Sequence, residues 1–291
     1  MPHLASLPLG VFDSGVGGLT VLRALRRLLP DESFLYLGDT ARVPYGSKPI
    51  DMVRGFAEEI ASELLGRGVK GIVVACNTAS AASLPELAER LPVPVWGVVE
   101  PGVAAAMDAS RGPVRPHVGV LGTVATITAR VYQDRLEAAG AVTWARACPL
   151  FVPIVEEGIS DSTIARLVAD HYLADRPALD TVILGCTHYP ALKPVLAEVF
   201  GPDVRMIDSA EAVAATVRAD LARAGLARTE LSTTGDPPTV QYLVTGDREA
   251  FLHTARVLDG PPGTAEHVVL SGKPPRRDPA VAPASRSRAR A

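Results

Sequence analysis

The sequence predicts an α/β protein made of two pseudo-symmetric open parallel-sheet domains. Short apolar runs alternate along the chain with amphipathic helical patterns, which is typical of parallel strands connected by helices. Two strand-end segments, 10–14 and 73–77, reappear at 119–123 and 183–187 with nearly the same spacing. Because ligands of open α/β sheets bind beyond the carboxyl ends of strands, we expect the active site in the cleft between the two domains.

The first hundred residues contain four predicted strands and two predicted helices. The strands are the apolar runs 8–12, 34–37, 71–75 and 94–99. One helix opens at Gly17-Gly18 and carries leucines on one face, and a second covers 51–65. A further helical stretch, rich in alanine, follows residues 100–102. Polar or reactive side chains follow three of these strands, namely Asp13, Asp39 and Cys76. These side chains are therefore candidates for a site at the sheet edge.

The second half restarts the same organisation. Strands are predicted at 117–121, 181–185, 204–207, 239–245 and 266–270. Helices are predicted around Tyr132 and Leu136 and over 210–224. Strands and a helix thus remain to be placed after the second domain. We therefore expect a discontinuous first domain, 1–100 with 209–270, and a second domain at 101–208.

Composition excludes several classes of protein. The 291 residues carry a formal charge of -3, whereas nucleic-acid-binding domains usually show a basic excess. No uncharged apolar run reaches the roughly 18 residues of a membrane span. Three cysteines are a small and odd number for a disulfide framework, in which cysteines occur in pairs. We therefore expect free thiols in a reducing cytoplasm.

The end of the chain, 271–291, differs from the rest. Proline, alanine, serine and arginine dominate it, and six lysines and arginines stand against the single acid Asp278. Such a segment has too few apolar residues to form a core, so we predict a disordered basic tail.

Two cysteines at matching strand ends point to acid/base chemistry. Inverting an α-carbon requires one group that removes a proton from one face and another that returns a proton to the opposite face. Cys76 and Cys186 are such a pair, if neighbours tune their thiols away from the usual pKa of about 8.5. Asp13 is a candidate to assist Cys76, and His188 lies two residues after Cys186.

Four segments of the chain resemble the signatures of the bacterial glutamate racemases, within the aspartate/glutamate racemase family. They are VFDSGVGGLT at 11–20, GDTAR at 38–42 with PYG at 44–46, ACNTA at 75–79, and LGCTHYP at 184–190. They occur in the family's order, and the resemblance runs from about residue 9 to 270. It implies interconversion of L- and D-glutamate to supply peptidoglycan, with no metal and no organic cofactor, by a cytoplasmic homodimer.

The resemblance also assigns roles to individual residues. Cys76 would deprotonate D-glutamate and Cys186 L-glutamate, assisted by Asp13 and His188. The α-amino and α-carboxylate groups would be held by Ser14, Asn77, Thr78, Thr187 and His188, with Asp13 beside them. Tyr45 and Gly46 would hold the side-chain carboxylate, Asp39 and Glu156 would be supporting polar groups, and Thr123 and Thr126 would line the pocket. The chain departs from the family at Val43, where many members carry a cysteine.

Other interpretations stay open at this level. The thiols at 76 and 186 could be buried strand-end residues, and Cys148 is interpreted as structural. The substrate could be aspartate, because pocket length cannot be read from sequence. A pyridoxal-phosphate enzyme would need a Schiff-base lysine, and the chain has only Lys48, Lys70, Lys193 and Lys273. Some glutamate racemases inhibit DNA gyrase by binding it, and the basic tail is a candidate for such a contact.

Overall fold

Strands and helices alternate along the chain, as the apolar pattern predicts. The computed structural model describes residues 4–110, 115–228, 237–257 and 264–270. The strands are β1 Leu9–Asp13, β2 Phe34–Gly38, β3 Gly71–Val74, β4 Val95–Gly97, β5 His117–Gly122, β6 Val142–Ala147, β7 Thr181–Gly185, β8 Arg205–Asp208, β9 Val240–Val244 and β10 Glu266–His267. The predicted tail at 271–291, with the gyrase contact suggested for it, lies outside the described residues.

The helices occupy the connections between these strands. They are α1 Leu19–Leu28, α2 Ile50–Gly66, α3 Asn77–Arg90, α4 Val99–Ala109, α5 Val124–Thr128, α6 Val131–Ala138, α7 Phe151–Glu156, α8 Thr163–Leu173, α9 Lys193–Phe200, α10 Ser209–Ala224 and α11 Arg248–Val257. Within the described ranges, none of them is both long enough and apolar enough to cross a membrane.

The strands form two parallel sheets with the same internal arrangement. One sheet has the order β10-β9-β2-β1-β3-β4 and the other β6-β5-β7-β8, and every described pair is parallel. The run β2-β1-β3-β4 matches β6-β5-β7-β8 strand for strand, so β1 corresponds to β5 and β3 to β7. The predicted fold class, two pseudo-symmetric parallel-sheet halves, is confirmed. The exact domain boundaries stay a prediction.

The structure corrects the sequence prediction at the edges of the sheets. β6 is absent from the prediction because its residues are only partly buried and include a charged arginine, so they form no apolar run. The predicted strand 266–270 pairs with β9 only at Glu266 and His267, both exposed at the sheet edge. Six helices, α3, α5, α7, α8, α9 and α11, are also missing from the prediction.

A buried ion pair between Lys70 and Glu32 lies at the amino-terminal edge of the first sheet. The Lys70 ammonium lies 2.6 Å from Glu32 Oε2 and donates to the carbonyls of Ala5 and Leu226 at 2.7 and 2.9 Å. Both side chains are almost fully buried. Each therefore depends on the other to offset the cost of removing its charge from water.

Replacing Lys70 by methionine should leave Glu32 buried without its cation. We expect the free energy of unfolding, measured by urea denaturation, to fall by about 3–5 kcal/mol. The matched control is Arg27→Ala, because Arg27 pairs with Glu211 where both side chains are more than 60% exposed. That change should cost less than about 1 kcal/mol. Equal losses in the two variants would contradict the prediction.

Candidate active site

A cavity of about 360 Å³ opens where the carboxyl ends of the two sheets meet. Residues one or two positions after β1, β3, β5 and β7 line it. The predicted site residues among its walls are Ser14, Tyr45, Gly46, Cys76, Asn77, Thr78, Thr123, Glu156, Cys186, Thr187 and His188. Three other predicted residues, Asp13, Asp39 and Thr126, are not in the walls and lie behind them.

Cys76 stands at the junction between β3 and α3. It is the N-cap of that helix, and its sulfur accepts a hydrogen bond from the Ala79 amide at 3.4 Å. The thiol also lies 3.8 Å from Ser14 Oγ. Burial and then the nearby charge of Asp13 raise the pKa of Cys76 to about 12, although the Ala79 and Ser14 contacts oppose the shift. Cys76 is therefore a protonated thiol at neutral pH, able to give a proton.

Asp13 supports the cavity wall from behind. Its carboxylate accepts the Gly15 amide at 2.9 Å and is approached by the Thr187 hydroxyl at 3.5 Å. It is completely buried, and burial raises its pKa, although the charge of His188 and nearby backbone amides oppose the rise. Because Thr187 belongs to the other sheet, Asp13 connects the two halves of the site.

Cys186, His188 and Glu156 form a chain of acid/base groups on the side of the four-stranded sheet. The His188 ring has Nδ1 3.8 Å from the Cys186 sulfur and Nε2 3.0 Å from Glu156 Oε1. Burial alone would lower the pKa of His188, but the contacts with Cys186 and Glu156 outweigh it and raise the pKa to about 10. His188 is thus a cation at neutral pH, with its ring beside the Cys186 sulfur.

Three threonine hydroxyls meet across the boundary between the two halves. Thr78 lies 2.9 Å from Thr123 and 3.1 Å from Thr126, and Thr123 and Thr126 are 3.0 Å apart. Thr123 is also the N-cap of α5, accepting from the Thr126 amide. Thr126 was predicted to line the pocket, but it is covered by the other two and orients their hydroxyls instead.

Asp39 supports the loop that presents Tyr45 and Gly46. Its buried carboxylate accepts hydrogen bonds from the Tyr45 hydroxyl, from Arg42 Nε at 2.7 Å and from Thr245 Oγ1 at 2.7 Å. Burial and the adjacent Asp39 raise the pKa of Tyr45, which keeps its hydroxyl protonated. Asp39 therefore acts on the cavity through Tyr45.

Sequence reasoning missed part of the cavity wall. Pro149, Val152 and Pro153 give it an apolar side, and Val124 contributes from α5. These residues carry no chemical motif, so only the fold identifies them. Val43, the departure from the family pattern, also lines the cavity, and it is about half exposed. Cys148 is buried outside it, with its thiol 3.7 Å from the Arg146 carbonyl.

The four lysines of the sequence contribute no cavity-lining side chain among the described residues. Lys70 is committed to Glu32, and Lys193 pairs with Asp208 at 3.0 Å. Lys48 lines a neighbouring depression, and Lys273 lies outside the described ranges. In the part of the chain that the structure describes, no three histidine, cysteine or acidic side chains are grouped closely enough to hold a metal ion.

Comparison with known proteins gives a consistent result. Residues 17–217 match the Asp/Glu/Hydantoin racemase family. The chain is 57% identical over 252 residues to a glutamate racemase of Thermus thermophilus, covering 86% of this chain and 92% of that enzyme.

Solved structures are similar over nearly the whole chain. The crystal structure of a glutamate racemase from Thermus thermophilus in complex with β-chloro-D-alanine has a TM-score of 0.83 at 52% identity, covering 92% of this chain and 99% of that one. The glutamate racemase of Francisella tularensis in complex with D-glutamate has a TM-score of 0.84 at 33% identity, covering 92% and 100%.

Proposed function

The chain belongs to the Asp/Glu/hydantoin racemase family, and we propose that it is a cofactor-independent glutamate racemase that interconverts L- and D-glutamate. One observation carries the proposal. Cys76 and Cys186 follow equivalent strands of the two sheets and line the same cavity. We propose that a substrate bound between them has one sulfur on each face of its α-carbon, which is what inversion without a cofactor requires.

The protonated Cys76 thiol serves as the acid in one direction of the cycle. Cys186, beside the His188 cation, takes the α-proton of L-glutamate, so a C–H bond breaks and an S–H bond forms. Cys76 then gives its thiol proton to the opposite face, which forms D-glutamate and leaves Cys76 as a thiolate. The reverse reaction begins from that second state, with Cys76 as the base and Cys186 as the acid.

The polar cavity residues are suited to hold an amino acid that carries two carboxylate groups. Hydroxyl and amide donors from Ser14, Asn77, Thr78 and Thr187 lie around the two sulfurs. Hydrogen bonds to the α-carboxylate lower the cost of the negative charge that develops when the α-proton leaves. Tyr45 and Gly46 would receive the side-chain carboxylate. We therefore propose glutamate, with its longer side chain, as the substrate rather than aspartate.

Biological context follows from the same resemblance. D-Glutamate formed in the cytoplasm would enter peptidoglycan, and the functional unit would be a homodimer. Membership of the family supports both proposals.

The direct test is proton NMR of L-glutamate with purified protein in D2O, with circular dichroism of the same sample and no added cofactor. We expect the α-proton signal to disappear while the dichroism decays to zero. The same measurement with L-aspartate tests the substrate. Exchange of aspartate alone would overturn the choice of glutamate, and inertness of both would overturn racemisation.

The pH dependence of turnover should depend on Glu156. The contact with Glu156 helps raise the pKa of His188 to about 10, so the His188 cation is present at neutral pH and is lost as the pH rises through that value. Glu156→Gln removes the anion, and the pKa of His188 falls. We therefore expect the high-pH limb of the kcat/KM profile for L-glutamate to move to lower pH.

Glu157→Gln is the matched control, since the neighbouring Glu157 is exposed and lies outside the cavity wall. Its profile should follow that of the wild type. If the Glu156→Gln profile also coincided with the wild type, the His188–Glu156 contact would have no part in the pH dependence of turnover.

A further inference from the structure

A buried tyrosine hydroxyl lies between the cavity and the two crossings, which are the segments where the chain passes from one sheet to the other. Tyr132, on α6, is completely buried and does not line the cavity. Its hydroxyl donates to Asn77 Oδ1 at 2.6 Å. Burial raises the pKa of Tyr132, which keeps the hydroxyl proton in place for this bond.

The same hydroxyl contacts both crossings. It lies 3.5 Å from the carbonyl of Val98, between β4 and α4, and 3.4 Å from Ser209 Oγ, at the start of α10. Close packing fixes the ring as well. A Cβ added at Gly102 or at Gly185 would lie 3.5 Å from a ring carbon of Tyr132. Gly185 directly precedes Cys186, so the ring is wedged between α4 and the end of β7.

The bond to Asn77 determines which end of the amide faces the cavity. Asn77 directly follows Cys76, begins α3 and lines the cavity. Its Oδ1 is engaged by Tyr132, while its Nδ2 has no acceptor among the described residues. The amide nitrogen is a donor with two protons, so the end left to the cavity is suited to a carboxylate oxygen and unsuited to an ammonium group.

We infer that Tyr132 is a positioning residue: it holds the Asn77 amide with Nδ2 toward the substrate α-carboxylate and ties that orientation to both crossings between the sheets. The inference rests on the proposed function, because it assigns the atom of Asn77 that binds an amino acid. Tyr132 itself touches no reacting atom. Its effect should appear in substrate affinity and should pass through Asn77.

The first test compares steady-state kinetics of the wild type and Tyr132→Phe with each enantiomer of glutamate. Loss of the hydroxyl frees the Asn77 amide to rotate, so KM should rise about tenfold for both enantiomers while kcat stays within about twofold. The matched control is Thr181→Val. Thr181 is equally buried, and its hydroxyl bonds Ser110 Oγ at 2.6 Å at the far end of β7. Its KM should not change.

A double variant separates positioning from general loosening. In an Asn77→Ala background, Tyr132→Phe should raise KM no further, because the group through which it acts is already absent. An additive increase in the double variant would overturn the inference, as would a Tyr132→Phe enzyme with the KM of the wild type. A wild type inert toward glutamate would instead overturn the proposed function, and this inference with it.

Asn77→Asp provides a test that does not require the Tyr132 variant to fold. Aspartate keeps the shape of the side chain and still accepts from Tyr132, but it places an oxygen where Nδ2 stood. Repulsion of the substrate carboxylate should then raise KM above that of Asn77→Ala. A KM for Asn77→Asp at or below that of Asn77→Ala would mean that the amide oxygen faces the substrate, which contradicts the inference.

Discussion

Alanine at Cys76 should abolish net racemisation of glutamate from either enantiomer, lowering turnover by at least about 10³-fold. Inversion needs one proton-transfer group on each face of the α-carbon, and in the proposed mechanism Cys76 supplies one of the two. Water cannot substitute efficiently, since the thiol is buried and held by Ala79 and Ser14. Cys186→Ala should cause a comparable loss.

Deuterium exchange reveals which face each thiol serves. In Cys76→Ala, Cys186 can still remove the α-proton of L-glutamate and return a deuteron to the same face. We expect L-glutamate to lose its α-proton signal in D2O without losing its dichroism, while D-glutamate stays unchanged. Cys186→Ala should show the opposite preference. Exchange of both enantiomers by one single variant would contradict the assignment of one thiol to each face.

Cys148→Ala is the control for loss of a thiol. This third cysteine is buried, lies outside the cavity wall and has only a weak contact with the Arg146 carbonyl. Its racemase activity should remain within about twofold of the wild type, since a small buried apolar change mainly affects stability. Wild-type turnover by Cys76→Ala would exclude the two-thiol mechanism altogether.

The central part of the site is predictable because it depends on strand ends. β1, β3, β5 and β7 are fully or almost fully buried, so each is visible as an apolar run. The residues after them must then meet at the carboxyl edges of their sheets. The repeat thus predicts Cys76 and Cys186 on the two sides of one cleft, and both thiols line the same cavity.

The supporting groups could not be predicted in the same way, because their contacts join distant parts of the chain. Thr245 reaches Asp39 across 206 positions, and Glu156 reaches His188 from the end of a short helix. Asp39 itself resembles a cavity residue in sequence but faces the loop behind it. Tyr132 is indistinguishable in sequence from an ordinary core residue of α6. Such roles depend on how the two halves pack together, which periodicity does not specify.

Gly17→Ala should lower kcat/KM for glutamate by roughly 100-fold or more, because it disturbs the packing between the halves. A Cβ at this position would collide with the Thr187 hydroxyl and lie 2.6 Å from the His188 ring. His188 cannot move aside without leaving Glu156 and Cys186. The chain must therefore shift Thr187 and His188 or separate the two sheets, and either change moves Cys186 relative to Cys76. Steady-state kinetics with both enantiomers measures the loss.

Gly55→Ala makes the same substitution where it should do no harm. Gly55 lies inside α2, in the same half of the molecule, and an added Cβ there meets no atom within 4 Å. Alanine should stabilise that helix by about 0.5–1 kcal/mol and leave turnover unchanged. Activity lost in Gly17→Ala while its melting temperature stays near that of the wild type would locate the damage at the contact between the halves. An active Gly17→Ala enzyme would show that Thr187 and His188 can yield at this contact without cost to the reaction, and that the spacing of the two thiols does not depend on it.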